Sequence, residues 1–251
     1  MKDDVTWRMM SLRVVLRILT RLAAAKELSP IEKAVYTVAM LQQPPSITAL
    51  AEAVGLHKGS IEPHCKNLER LGWLRKVPVG RCHRPEAIVP ADVEQYLADE
   101  TRRLMRVAPY LGEEASKRFV DWIVAPYVHL VYNSRPAFLE NKDTGQRMEY
   151  DVHAPDYAWA LEHQGDQHFG PTSRYPSDKT FIDQYRRDLR KAYLSKQNGV
   201  RLSTVTYLDL TVERMQAAIP PDIPRRPFDP KGPYIVMLEE IGHELAGPQG
   251  P

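Results

Sequence analysis

The sequence predicts an α+β protein of two domains joined by helical and proline-rich segments. Three observations carry that expectation. Residues 29–90 hold three short helical runs, each marked by a capping residue or a glycine turn, and then two strand-like runs. Residues 115–219 read helix, three strand-like runs, long helix, strand and helix. With 251 residues, 43% hydrophobic and 26% charged, the chain can bury two ordinary cores.

Residues 1–28 come first, with a helix expected over 5–28. Trp7, Met10, Val14, Ile18 and Leu22 form an apolar stripe, while Arg13, Arg17 and Arg21 recur on another face. Such a helix packs on the following domain or on a second subunit, so a homodimer is among the expectations. Ser29-Pro30-Ile31-Glu32 opens the next helix: Ser29 caps, Pro30 suits the first helical position, and Glu32 completes a capping box. That helix runs to about Leu41 and breaks over 42–45. Ser46 caps a short helix over 47–54, and Gly55-Leu56 turns the chain. A third helix spans about 60–71, with Ser60 as N-cap so that Pro63 falls in the first turn. Gly72 ends it. Trp73–Val77 and Ala87–Val89 read as two strands around Pro78-Val79-Gly80-Arg81.

Helix, helix, glycine turn, helix and a two-stranded wing resemble the winged helix-turn-helix DNA-binding domains. The matching run is Ala49-Leu50-Ala51 to Gly55-Leu56, then Ser60-Ile61, then Leu68-Glu69-Arg70-Leu71-Gly72-Trp73-Leu74. The resemblance implies that the third helix enters the major groove and that the wing meets backbone. His57, Lys58, Ser60, Glu62, His64 and Lys66 would then face DNA, with Arg75, Lys76, Arg81 and Arg84 on the wing. Pro63 and Glu62 stand where relatives often carry base-reading groups. Residues 1–118 hold 19 Lys and Arg against 14 Asp and Glu, the remainder 15 against 18, so the basic half is the one that resembles a DNA binder. Cys65 and Cys82 lack the spacing of a zinc site, and two cysteines without a CxxC pair suit a reducing cytoplasm. Neither a signal peptide nor an uninterrupted apolar span is visible, so a cytoplasmic protein without membrane contact is expected.

A helix over about 91–107 carries Arg102, Arg103 and Arg106, and residues 91–114 are expected to form a helical linker. In residues 115–219 the expected helix covers 115–124 and continues past Pro126, with Phe119, Trp122 and Ile123 inward. Strands follow at 137–140, 147–153 and 157–164, the last two joined by a tight turn at Pro155-Asp156. Alternation puts Glu149, Asp151 and His153 on one face of the first, and Ala158, Ala160, Glu162 and Gln164 on one face of the second. A two-residue turn sets Asp151 opposite Ala160 and Glu149 opposite Glu162. One patch then collects Glu149, Asp151, Glu162 and Gln164. Clustered carboxylates repel unless a cation or proton sits between them, and such oxygen-rich sites suit Mg²⁺ or Mn²⁺. A loop over 165–177 leads to a helix over 178–197, with Phe181, Ile182, Tyr185, Leu189, Ala192 and Tyr193 as its buried stripe. Arg187, Asp188, Arg190 and Lys191 lie on its polar side, and a strand over 200–207 and a helix ending near Ile219 close the domain. Residues 220–251 form a proline-rich strap and a last helix over 234–245.

Asp151, Leu161-Glu162, Gly165 and Gln167-His168-Phe169 resemble the PD-(D/E)xK nuclease superfamily, in the branch of very short patch repair and phage homing endonucleases. The likeness spans about residues 119–219, and the αβββαβ order is that of the restriction-endonuclease-like fold. It implies a Mg²⁺- or Mn²⁺-dependent endodeoxyribonuclease in which Asp151 and Glu162 hold the metal. Gln164 would orient water or a phosphate oxygen, and His168 would exchange a proton. Glu149, Gln167 or Asp188 would complete the shell. The superfamily lysine falls at Gln164, which carries no charge; Lys191, three positions after Asp188, would replace it. The alternative is a DNA-binding regulator whose nuclease-like domain is inactive. A small-molecule enzyme lacks its phosphate-cradling glycine loop.

Overall fold

The computed structural model describes residues 15–125, 127–141, 144–165 and 178–247, with backbone alone at 178–181. The fold is α+β, and it forms two compact units. One holds residues 15–99 with 227–233, and the other residues 100–226 with 234–247. The division falls inside a helix, α5 (Ala91–Met105).

In the first unit, α1 (15–24) buries Ile18 and Leu22. The Arg17 guanidinium lies 4.4 Å from the Tyr96 ring centroid, and Arg21 pairs with Asp92 at 2.8 Å. Then come α2 (Pro30–Gln42), α3 (Ile47–Val54) and α4 (Lys58–Arg70). The foreseen capping box is present: Ser29 Oγ accepts from the Glu32 N–H, and Glu32 accepts from the Ser29 N–H. Ser46 caps α3, and Gly55 ends it at φ 77, where a side chain would be strained. Tyr36 meets Trp73 edge to face at 5.2 Å, and its hydroxyl donates to the Ile88 carbonyl.

Helix α4 departs from the sequence expectation. His57, not Ser60, is its N-cap, the imidazole accepting from the Gly59 N–H. Pro63 therefore lies beyond the first turn and denies the Gly59 carbonyl its i+4 donor. Both residues are exposed, so water can serve that carbonyl. The two strands are β1 (Leu74–Val79) and β2 (Cys82–Ala87), paired from Leu74–Ala87 to Val79–Cys82. The expected loop shrinks to Gly80-Arg81, with Gly80 at φ 60.

The second unit starts with the end of α5 and α6 (Leu111–Ile123). The chain is extended at Val124, so α6 stops short of the expected continuation past Pro126. A four-stranded sheet follows in the order β3 (Val131–Ser134), β6 (Tyr150–Ala154), β7 (Trp159–His163) and β8 (Arg201–Val205). Its pairings are antiparallel except β7 with β8, which is parallel. The strand expected at 137–140 is mostly a 3₁₀ turn, Ala137–Leu139, leading into a small hairpin of β4 (Glu140–Asn141) and β5 (Gln146–Arg147). The outer place in the sheet belongs to β3 instead.

Between β6 and β7 the turn is longer than two residues. A 3₁₀ turn, Pro155–Tyr157, is followed by Ala158 at φ 46. The register becomes Val152–Leu161, His153–Ala160 and Ala154–Trp159, which corrects the expected pairing of Asp151 with Ala160 and of Glu149 with Glu162. Carried one step further, the same register sets Asp151 across from Glu162. The slip is two residues, so side-chain parity survives.

Helix α6 packs on β6 and β7, and α7 (Asp178–Gln197) on β8 and the 3₁₀ turn Ala137–Leu139. Leu139, Met148, Tyr150, Ala160 and Val200 form a core cluster, and the Tyr150 hydroxyl meets Ser195 Oγ of α7 at 2.6 Å. Two helices close this unit, the short α8 (Val212–Ala218) and α9 (Pro233–Ala246). The proline-rich segment runs along the end of α6: Ala125 N–H donates to Pro224, and Arg226 N–H to Ile123. Arg226 also lies over the Trp122 ring, whose other partner is a stacked Tyr234.

Candidate active site

The end of β7, the start of α6 and one face of α7 enclose an open cleft of about 510 Å³. Asp151 and Glu162 form its floor. Both are polar residues on otherwise buried strands, put there by alternation. Asp151 is 9% exposed, and its Oδ2 accepts the His163 N–H at 2.7 Å. Burial and the nearby Glu113 push its carboxyl up to about 6, against the opposing pull of that N–H and of Lys117 and Lys191. Glu162 goes further, up to about 8, through burial and then the Asp151 charge; Lys191 opposes both. The Asp151 charge therefore disfavours ionisation of Glu162 beside it.

Lys191 reaches this floor from α7. Its ammonium donates to Glu162 Oε2 at 2.6 Å and is 6% exposed, so it is no solvated surface charge. The other oxygen, Glu162 Oε1, is buried with no hydrogen-bond partner among the described residues. Gln164 lines the cleft too, and its backbone N–H extends the sheet to the Val205 carbonyl. Glu149 and Asp188 lie at the cleft wall. Glu149 is held by Arg135 at 2.7 Å, and Asp188 accepts from Gln184 at 3.0 Å. Gln167 and His168 lie outside the described residues.

The face of α7 turned inward is not the expected one. The residues expected to be buried, Ile182, Tyr185, Leu189 and Tyr193, are each more than 40% exposed. Gln184, Asp188, Lys191 and Ser195 face the sheet instead, at helical spacing. A polar cleft floor selects the polar face.

Sequence reasoning missed Glu113 and Lys117. Glu113 lines the cleft from the first turn of α6. Lys117, 3% exposed, donates to Glu113 Oε1 at 2.5 Å and to Asn133 Oδ1 at 2.6 Å. Their spacing of four was visible in the sequence, but it reads like an ordinary surface pair. Gly112 was also unmarked: a Cβ there would lie 2.5 Å from the His163 ring, so glycine lets α6 approach the end of β7.

The donor set fits a hard divalent cation. Two adjoining carboxylates, one with an orphaned oxygen, open on the cleft, and Mg²⁺ commonly uses one or two carboxylates with substrate phosphate for the rest. Among the described residues, no group of three His, Cys, Asp or Glu is placed to hold a metal.

In the first unit, Lys58, Ser60, Lys66 and Arg81 are exposed as a DNA-facing role requires. Others have partners within the unit. Arg75 and Arg84 both bind Glu86, which is 6% exposed, at 2.8 and 2.5 Å. Lys76 lies 3.3 Å from Glu69, and His64 lies 3.7 Å from Glu32. Cys65 is buried, its thiol pushed up to about 11 by burial, and Cys82 is exposed.

Among the described residues no helix is long and apolar enough to cross a membrane. No family model matches the chain, and no solved structure matches it. Over 98 residues the chain is 35% identical to a protein named "Uncharacterized protein 033L" from Invertebrate iridescent virus 3. The match covers 38% of this chain and 48% of that protein, so the chain spans about half of its relative's length.

Proposed function

We propose that this chain is a metal-dependent DNA endonuclease, with a PD-(D/E)xK-like catalytic unit and a winged-helix unit that delivers it to DNA. The observation that carries the reading is the cleft floor, where Asp151 and Glu162 adjoin and Lys191 reaches Glu162 from α7. Asp151 and Glu162 would hold Mg²⁺ or Mn²⁺. The bound ion would polarise a phosphate and lower the pKa of an attacking water. Lys191 favours the ionised form of Glu162 against burial and the Asp151 charge, and brings the positive charge that Gln164 lacks. Gln164 offers an amide to a phosphate oxygen or a water. Asp151, locked by the His163 N–H, is held in one orientation. In the other unit, the helix–helix–helix–hairpin order and the exposed Lys58, Lys66 and Arg81 support duplex binding.

The Lys191–Glu162 bridge also favours a second reading. An ammonium on Glu162 can replace the cation such a site needs, leaving a DNA-binding regulator without nuclease activity. Plasmid cleavage in Mg²⁺, Mn²⁺ and EDTA separates the two. Nicking or linearisation with Mg²⁺ or Mn²⁺ that EDTA abolishes supports the nuclease. Intact supercoiled plasmid in all three, together with intact single-stranded, nicked and branched DNA and with DNA binding retained, supports the regulator.

A further inference from the structure

We propose that the cleft takes an unpaired stretch of DNA, with one base stacked on Tyr185. This rests on the nuclease reading for its chemistry and adds the substrate class. Three features of the cleft lead there.

The first is aromatic. Tyr185 is 56% exposed on α7 and lines the cleft, and Tyr110, 54% exposed, lines it from the start of α6. Leu189, one turn after Tyr185, adds an exposed apolar surface to the same wall. Exposed tyrosine and leucine beside a polar cleft offer a surface to a guest with a flat apolar face. Nucleobases have one, and in a duplex their neighbours cover it.

The second is electrostatic. The described residues lining the cleft include five carboxylates against two cations, Arg187 and Lys191, and Lys191 is committed to Glu162. A duplex laid along this cleft would bring two phosphate strands to a wall that repels them. A single strand held through a base brings few phosphates, and Arg187 can meet one of them. The third is size: about 510 Å³ suits a guest of one or two nucleotides rather than a double helix.

The full-length chain and its Tyr185→Ala and Tyr185→Phe variants test this, by fluorescence anisotropy with a labelled twelve-residue oligothymidylate and a twelve-base-pair duplex. Ca²⁺ replaces Mg²⁺ in these measurements. Duplex bound by the other unit cancels in the comparison of parent with variant. Tyr185→Ala should weaken the oligothymidylate about tenfold, the scale of one lost base–aromatic stack, and leave the duplex affinity unchanged. Tyr185→Phe should bind like the parent. Equal oligothymidylate affinity in parent and Tyr185→Ala overturns the proposal, as does an equal loss on both ligands. In Mg²⁺, faster cleavage of single-stranded or flapped DNA than of blunt duplex supports it. If no DNA is cleaved with any metal but the selective loss in Tyr185→Ala persists, stacking stands and the nuclease reading falls. Circular dichroism should be unchanged in both variants, because the ring is exposed.

Discussion

Glu162 is asked to be charged where the protein interior makes charge costly. Burial and Asp151 raise its carboxyl to about 8, and Asp151 itself rises to about 6. A carboxyl with a raised folded-state pKa supports folding fully below its unfolded value, and that support is lost as pH climbs through the folded value. For this pair the window opens near 4 and closes near 8. The metal-free protein should therefore lose stability from pH 5 to pH 8 by at least about 1 kcal/mol, roughly 2–4 °C in melting temperature. Glu162→Gln should flatten most of that slope, and thermal melts at several pH values in EDTA would show it. A parent whose melting temperature is level across the window would mean that Lys191 fully compensates the pair. Lys191 itself gives a second expectation. Lys191→Ala removes the ammonium from Glu162 and should abolish cleavage while lowering stability by about 1–3 kcal/mol. Lys191→Arg keeps the charge with a different fork and should recover stability before activity. Arg190, one residue earlier, bonds Asn141 away from the floor, and Arg190→Ala should leave cleavage within a few fold. Assays of all three variants beside their melts check this.

At the scale of elements, the β1–β2 hairpin shows how a basic strand divides its labour. Arg75 and Arg84 neutralise Glu86, which the hairpin buries, whereas Arg81 stands at the exposed turn. Arg81→Ala should weaken DNA binding and reduce its salt dependence without moving the melting temperature. Arg75→Ala should cost about 1–2 kcal/mol of stability, by leaving a buried carboxylate with one partner. Titrations at two salt concentrations, paired with melts, tell the two roles apart; equal behaviour of the two variants would refute the division. The sequence alone could not make it, because arginine reads the same on either face of a strand. Other elements were legible for physical reasons. Ser29 to Glu32 and Ser46 to Gly55 fix helix ends locally, so α2 and α3 match their expected bounds within a residue. The β6–β7 pair was legible in parity but not in register, since Ala158 at φ 46 lengthens a turn that looked two residues long. Strand β3 was hidden by brevity, four residues of mixed character, and α7 was read inside out. The usual rule of burial points to its apolar stripe, which is exposed, while the cleft takes Gln184, Asp188 and Lys191.

The two units carry complementary chemistry: exposed basic side chains on one, clustered carboxylates on the other. If binding belongs to the first and hydrolysis to the second, one substitution should separate them. Asp151→Asn is suited to this. The amide oxygen still accepts the His163 N–H, so the local hydrogen bond survives. The charge that raises Glu162 disappears, so repulsion within the pair is relieved. The variant should melt at or slightly above the parent temperature at pH 8, without metal. Mg²⁺ should raise the melting temperature of the parent, because a ligand that binds only the folded state stabilises it, and raise that of Asp151→Asn less. Duplex affinity should stay within about twofold, with the same fall as salt rises. Plasmid cleavage should disappear. Loss of duplex binding together with cleavage would place Asp151 in the DNA-contact surface rather than at a metal. A variant that unfolds would make the carboxylate a structural acceptor that nitrogen cannot replace. Unchanged cleavage would move the chemistry away from the β6–β7 floor altogether.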